Sequence, residues 1–507
     1  MKNLVFLLVF FSFNTSAQKY DYVWTFGYGK IFPNGGTNIN FNFDPCQTEY
    51  IKRDINFSFD CASICDRNGK FLFSTNGCKI FNANNKLTKN GDGLNPGLTS
   101  TNYCGDGNLI PQGSLFLPHP SDSSLFYLFH LRPEFVTKDQ IGGIADKVYY
   151  TLIDKSKENG LGEVLTKNNI IYEDTMAFGK LTAVRHGNGR DWWIVVPRMF
   201  KNRYIKLLFT DQGISGPFFQ DIGLPNDDDN GTGQAVFSPD GSKYIHFDRY
   251  NDLSIFDFNR CDGALSNFIR ITLPTYRDSI LVNSTFYAKY SVGGVAVSQN
   301  SRFLYVTTQS DVFQYDLLSS DIKESVMIVA KTDSFLFNKR TIPFFLPQLA
   351  PDNKIYICCQ GSAPFLHVIN NPNSRGLGCN VTQHSFVLPT YNAFSIPKYP
   401  NYRLGALKGS PCDTLHSIAV REKANSLQAT LFPNPTSDQV TIKWQNDDGV
   451  ACEVDIIDAV GRIIQRQESH ASSLIFDTSS WANGLYYVQI VEEKGRKKAF
   501  LKIAKSN

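Results

Sequence analysis

His186 stands beside Arg185 and five residues ahead of Asp191, and Trp192 and Trp193 follow directly. A histidine with a carboxylate in reach is the minimum for general acid–base work, and a tryptophan face is a stacking surface for a sugar or another ring. These four residues, His186, Asp191, Trp192 and Trp193, are the ligand-binding candidates of the chain. The plainer reading competes with each. With Asn188-Gly189 at the centre of a hairpin turn, His186 falls opposite Asp191, an ordinary cross-strand polar pair. Two adjacent tryptophans on a strand point to opposite faces, so at most one meets a ligand and the other belongs to a core.

The metal candidates lie in Asn226-Asp227-Asp228-Asp229-Asn230-Gly231. Asn226, Asp228 and Asn230 alternate ahead of a glycine, as in the first half of a calcium loop, so Ca²⁺ is the cofactor expected if one binds. The position that should carry a bidentate glutamate is Phe237, which favours a solvated acidic loop. Cys61 and Cys65 have a spacing that zinc sites use, but no second pair at finger spacing follows. No Gly-x-Ser-x-Gly elbow, His-Glu-x-x-His helix or phosphate-cradling glycine loop is present. The catalytic residues are therefore unassigned, and the reading leans away from an enzyme.

The elements around these residues repeat. An apolar strand, a tight turn and an aromatic strand recur at Asp66, Asp122, Asp191, Asp240, Asn300 and Asp352, at gaps of about 50 to 70 residues. Each interval has room for four short strands, and a four-stranded sheet repeated at this period is a propeller blade. The chain thus reads as an all-β protein whose residues 18–408 form a β-propeller of seven blades. Six blades are visible through their turns, and the strand near Tyr22 to Phe26 or one near the end closes the ring. Stacked β-sandwiches are the alternative.

Composition agrees. The 507 residues include 40 Phe and 23 Tyr but 4 Met, as in a β-rich exported protein. A net charge of +3 gives no basic stripe for nucleic acid. Residues 1–17 have a charged start, an apolar run and small residues at Thr15-Ser16-Ala17, the pattern of a signal peptide too short to span roughly 30 Å of bilayer. No later run reaches the ~18 apolar residues of a transmembrane helix. The 11 cysteines of an exported chain suggest disulfides, with at least one thiol left over. A polar linker follows at 409–430.

The last segment, 431–507, opens on Phe432-Pro433-Asn434-Pro435, passes Asp458-Ala459-Val460-Gly461-Arg462 and Gly484-Leu485-Tyr486-Tyr487-Val488, and closes on a basic hairpin at 494–503. It resembles the C-terminal sorting domain of the type IX (Por) secretion system of Bacteroidetes. That resemblance implies a small β-sandwich, the type IX machinery as partner of 431–507, and secretion or attachment to surface lipopolysaccharide after cleavage near the linker. Ser238-Pro239-Asp240-Gly241-Ser242-Lys243 also resembles WD-repeat-like and surface-layer propellers of exported bacterial proteins. The expected function is a secreted or surface-anchored binding module for polysaccharide or protein. The alternatives are an exported hydrolase of glycans or lactone-like esters and a structural envelope or gliding-associated component.

Overall fold

In a computed structural model, the described residues are 18–506 apart from 29–34, 54, 58, 106, 136–142, 226–232, 250, 275–278, 283–284, 289–291, 414–426, 446–448, 460 and 493–497. The chain divides into two compact units, 1–415 and 416–507.

Among the described residues of the first unit, seven antiparallel sheets of three or four strands follow one another in chain order, with a two-stranded hairpin inserted before the sixth and another before the seventh. Their first strands are Val23–Phe26 in blade 1, Ala62–Cys65 in blade 2, Ser114–Pro118 in blade 3, Thr182–Arg185 in blade 4, Gly233–Phe237 in blade 5, Gly294–Val297 in blade 6 and Phe344–Leu349 in blade 7. Blades 1 and 2 have three strands each and blades 3 to 7 have four. Neither face of such a sheet survives in water, and the side chains show where each face goes. Blades 2, 3 and 4 share one apolar cluster. Blades 4 and 5 share another, as do 5 and 6, and 6 and 7. Trp24, Phe26 and Ile39 of blade 1 then pack with Phe345, Tyr356 and Val368 of blade 7, which closes the ring. This is a β-propeller. The strand around Val23–Phe26, named from sequence as one candidate for the closing element, is the inner strand of blade 1.

The six repeated turns all join the first and second strands of blades 2 to 7, and all share one device. The side-chain oxygen of Asp66, Asp122, Asp240, Asn300 and Asp352 accepts the backbone N–H two residues on, at 2.8, 2.8, 3.0, 3.2 and 3.2 Å. In blade 4 this is done by Asn188, whose Oδ1 accepts the N–H of Arg190 at 3.0 Å, and not by Asp191. The repeat is thus an Asx turn inside a longer connection, a correction to the two-residue hairpins expected from Asn-Gly and Asp-Gly. In blades 4 to 7 the residue after the anchor takes the positive φ: Gly189, Gly241, Ser301 and Asn353.

The inner strand of blade 1 runs opposite to that of blade 2: the Cys65 N–H donates to Tyr20 O and the Cys61 thiol to Thr25 O. The end of the ring bearing the Asx turns is called the turn face below, and the opposite end, where the inner strands of blades 2 to 7 begin, the upper face.

The second unit is a β-sandwich. One sheet holds Ala429–Phe432, Gln439–Trp444 and Ser473–Asp477, the other Cys452–Ile457, Ile463–Ser469, Gly484–Glu492 and Lys498–Lys505. Val440, Ile442 and Trp444 of the first meet Val454, Ile456, Val488, Ile490 and Ile503 of the second in one core. The Pro-Asn-Pro opening is tied to the last strand, with Asn434 Oδ1 accepting the Ala504 N–H at 2.7 Å. No helix among the described residues is long and apolar enough to cross a membrane.

Candidate functional site

A propeller offers its axial channel first, but here the chain fills its own channel. Residues 396–404 run from the upper face to the turn face along the inner strands. Lys398 Nζ donates to Pro347 O at 2.9 Å and the Tyr399 hydroxyl meets that of Ser63. Asn401 Nδ2 donates to Pro239 O at 2.7 Å, the Tyr402 hydroxyl to Phe116 O at 2.7 Å, and Arg403 pairs with Asp21. On the turn face the Leu407 N–H donates to Gly187 O, and Cys412 is bonded to Cys261 of blade 5. Residues 409–413, expected as the start of a linker, are therefore secured to the propeller. What remains of the channel is a cavity of about 60 Å³ beside Gln112, Gln234 and Lys398, room for water but not for a sugar.

Three of the described ionisable groups near the channel, Asp60, Lys398 and Arg53, are fully buried. Asp60 is fully buried, and that burial lifts its carboxyl to about 7 against the opposing Ser114 hydroxyl and the N–H groups of Gly113, Ser114 and Cys61. Ser114 Oγ donates to its Oδ2 at 2.6 Å, and Oδ1 has no hydrogen-bond partner. Burial likewise draws Lys398 down to about 7 and Arg53 to about 9. A raised carboxyl is a mark of general acids. Asp60, however, faces a hydroxyl and backbone amides and not a second carboxylate.

Of the residues singled out from sequence, Trp192 and Trp193 do point to opposite faces, and both faces are core. Trp192 is 0% exposed, against Tyr402 and under the Arg185 guanidinium 3.9 Å from its ring. Trp193 is 5% exposed between blades 4 and 5, its indole N–H donating to Arg260 O at 3.0 Å. Neither indole presents a face to a solute, so the structure moves both from the ligand candidates to the packing. His186 and Asp191 do lie opposite, but through the backbone: the His186 N–H donates to Asp191 O at 2.8 Å. Their side chains part. His186 Nε2 meets Cys261 O at 2.8 Å, while Asp191 binds Asn188 at 2.7 Å and Arg190 at 2.8 Å. The expected polar side-chain pair is replaced by these local contacts. Asn226, Asp228 and Asn230 lie outside the described residues.

Two disulfides are present, Cys78–Cys104 and Cys261–Cys412. Cys61 and Cys65 are separate buried thiols, and no group of three or more His, Cys, Asp or Glu side chains is placed to hold a metal among the described residues. One cluster escaped the sequence because its members are scattered. Cys359 lies 3.5 Å from His367 Nε2, and His384 pairs with Asp333 at 2.8 Å. It is not a nucleophile–base pair. His367 Nδ1 accepts the His384 N–H at 3.2 Å, so Nε2 carries the proton and cannot take one from the thiol, which burial already holds well above its ordinary range.

A cavity of ligand size lies elsewhere, between blades 7 and 1. It encloses about 760 Å³, within the ~300–1,000 Å³ of small-molecule sites. Its aromatic floor is Phe41, Tyr356 and Phe386, held edge to face with Tyr356 centroids 5.8 and 5.1 Å from the other two. Phe43 stands at the rim, 49% exposed. Asp352 is committed within the wall, accepting the Tyr356 hydroxyl at 2.8 Å and the Lys354 N–H at 3.2 Å. The half-buried Cys46 thiol opens into it, 3.5 Å from the Tyr356 hydroxyl, and burial raises its pKa. Sequence reasoning missed this groove: Phe41 and Tyr356 are 315 positions apart, and no motif joins them.

Residues 430–504 match the secretion system C-terminal sorting domain. No curated protein matches the chain. Among solved structures it is similar to PorZ, an essential bacterial surface component of the type-IX secretion system of Porphyromonas gingivalis, at 13% identity over 94% of this chain and 68% of that one, TM-score 0.26. It is also similar to a 6-phosphogluconolactonase-like protein of Bacteroides uniformis at 10% identity over 75% and 99%, TM-score 0.36. A gluconolactonase of Xanthomonas campestris gives 10% identity over 68% and 95%, TM-score 0.31. The ring of sheets and the matched tail together identify the chain as a β-propeller that carries a type IX secretion C-terminal sorting domain.

Proposed function

We propose that the mature protein, freed of residues 1–17, is passed through the type IX machinery by its C-terminal unit and acts at the outer cell surface or in the medium as a binding module for polysaccharide or a surface protein. The address rests on the match at 430–504. The observation that favours binding over hydrolysis is the filled channel: where a propeller hydrolase would gather acids and bases from several blades, this chain lays Lys398, Tyr399 and Tyr402 against the inner strands. Among the described residues near that axis, Asp60 is the carboxyl that burial lifts to about 7, and it is 1% exposed.

The test uses the full exported protein, oxidised, incubated with soluble and insoluble polysaccharides, with retention and released products scored in the same tubes. Retention without products is expected. Released products overturn the reading in favour of a hydrolase. Neither retention nor products removes glycan binding and leaves a protein partner or a structural role.

A further inference from the structure

We infer that the groove between blades 7 and 1 is a binding site for a neutral oligosaccharide; this rests on the reading of the protein as a binding module and gives that module its site. Three properties of the groove point to the ligand class. The first is size: about 760 Å³, partly open to solvent, room for a short oligomer. The second is a half-exposed phenyl ring at the rim, Phe43, beside Phe41 and Tyr356, which are packed at 6% and 1% exposed and hold the shape of the groove. Pyranose rings present C–H faces that stack on such rings, and Phe43 offers apolar area with few torsions to immobilise.

The third property is charge. Two carboxylates, Asp44 and Asp352, line the groove with one ammonium, Lys354, and no arginine is among the lining residues. A phosphate, sulfate or uronate would enter against that balance. The uncharged polar lining, Asn353, Asn370, Asn380, Thr382 and Ser385, carries both donors and acceptors. Asp44 is exposed. Asn370 commits its Nδ2 to Asn380 O at 2.9 Å and Thr382 Oγ1 at 3.0 Å, leaving Oδ1 as an acceptor. A lining that offers both donors and acceptors, with no excess of positive charge, suits the hydroxyl groups of an uncharged glycan.

The exported full-length protein would be titrated calorimetrically with neutral gluco-, manno-, galacto- and xylo-hexasaccharides and with hexagalacturonic acid, at low and high NaCl. One neutral series is expected to bind with an affinity insensitive to salt. Saturation should also slow alkylation of Cys46, the described free thiol that is not fully buried. Phe43→Ala should weaken binding about tenfold, with an unchanged melting temperature because Phe43 is half-exposed. If a neutral glycan binds but neither Phe43→Ala nor Asp44→Ala weakens it and Cys46 is not protected, the groove assignment fails while the binding reading stands. Preference for hexagalacturonic acid overturns the charge argument and with it the ligand class. If no hexasaccharide binds while polysaccharide is still retained, the site is not this groove; if nothing is retained, both readings fall together.

Discussion

Asp60 and Lys398 are fully buried, and among the described residues neither has an ion-pair partner, so each makes stability depend on pH through burial. For Asp60 the folded pKa is raised from 3.8 to about 7. The native state holds the proton more tightly, so its contribution is complete below pH 3.8 and is lost as pH rises through about 7. For Lys398 the folded pKa is lowered from 10.5 to about 7. The cost of its buried charge is complete below pH 7 and is relieved as pH rises towards 10.5. Asp60→Asn should therefore gain on wild type between pH 4 and 7, and Lys398→Met should lose its advantage between pH 7 and 10.5. Each change is on the order of a few kcal/mol, read as the difference in denaturant midpoints across pH. Flat difference curves would mean that water reaches these groups. Gly189 gives a second prediction at this scale. Its φ is +76°, and a Cβ there would lie 2.5 Å from Ala406 N in the returning tail. Gly189→Ala should cost more than about 1 kcal/mol, and its unfolding midpoint checks that.

The elements that decide the propeller's closure are the reversed strand of blade 1 and the tail in the channel. The two disulfides serve them unequally. Cys261–Cys412 closes 151 residues and Cys78–Cys104 closes 26. On chain entropy alone, removing the first should cost about 1.5 kcal/mol more than removing the second. Comparing Cys412→Ala with Cys104→Ala in denaturant measures it, and equal losses would place the effect in local packing. The six Asx turns were legible because their chemistry is local: an Asp or Asn, a turn residue and two flanking apolar strands lie within a dozen positions. Blade 1 was legible only as a loose strand, since its direction is set by Tyr20 and Thr25 meeting Cys65 and Cys61, contacts no short window contains.

At the scale of the whole molecule, the ring and the sandwich have separate apolar cores. A chain ending at Asp413 should keep the melting transition of the propeller within a degree or two while abolishing delivery to the surface. Calorimetry of full and shortened chains, with cell fractionation, tests both halves of that statement. A large drop in the propeller transition would show that its stability depends on the second unit.

The sequence by itself determined what local chemistry encodes: an all-β chain, a repeat near propeller length, the sorting tail, and cysteines suited to an oxidising compartment. It also named residues by type, and type was a poor guide to role. Trp192 and Trp193 looked like a site beside His186 and Asp191, but neighbours on a strand face opposite ways and here both faces are packed. Only the tertiary structure decided that the channel is filled by residues 396–404, that Cys261 meets Cys412, and that Phe41, Phe43, Tyr356 and Phe386 line one groove. The groove arises because a ring brings its first and last blades together whatever the distance between them in sequence, and the other two arise because the returning tail reaches blades 2, 3 and 5.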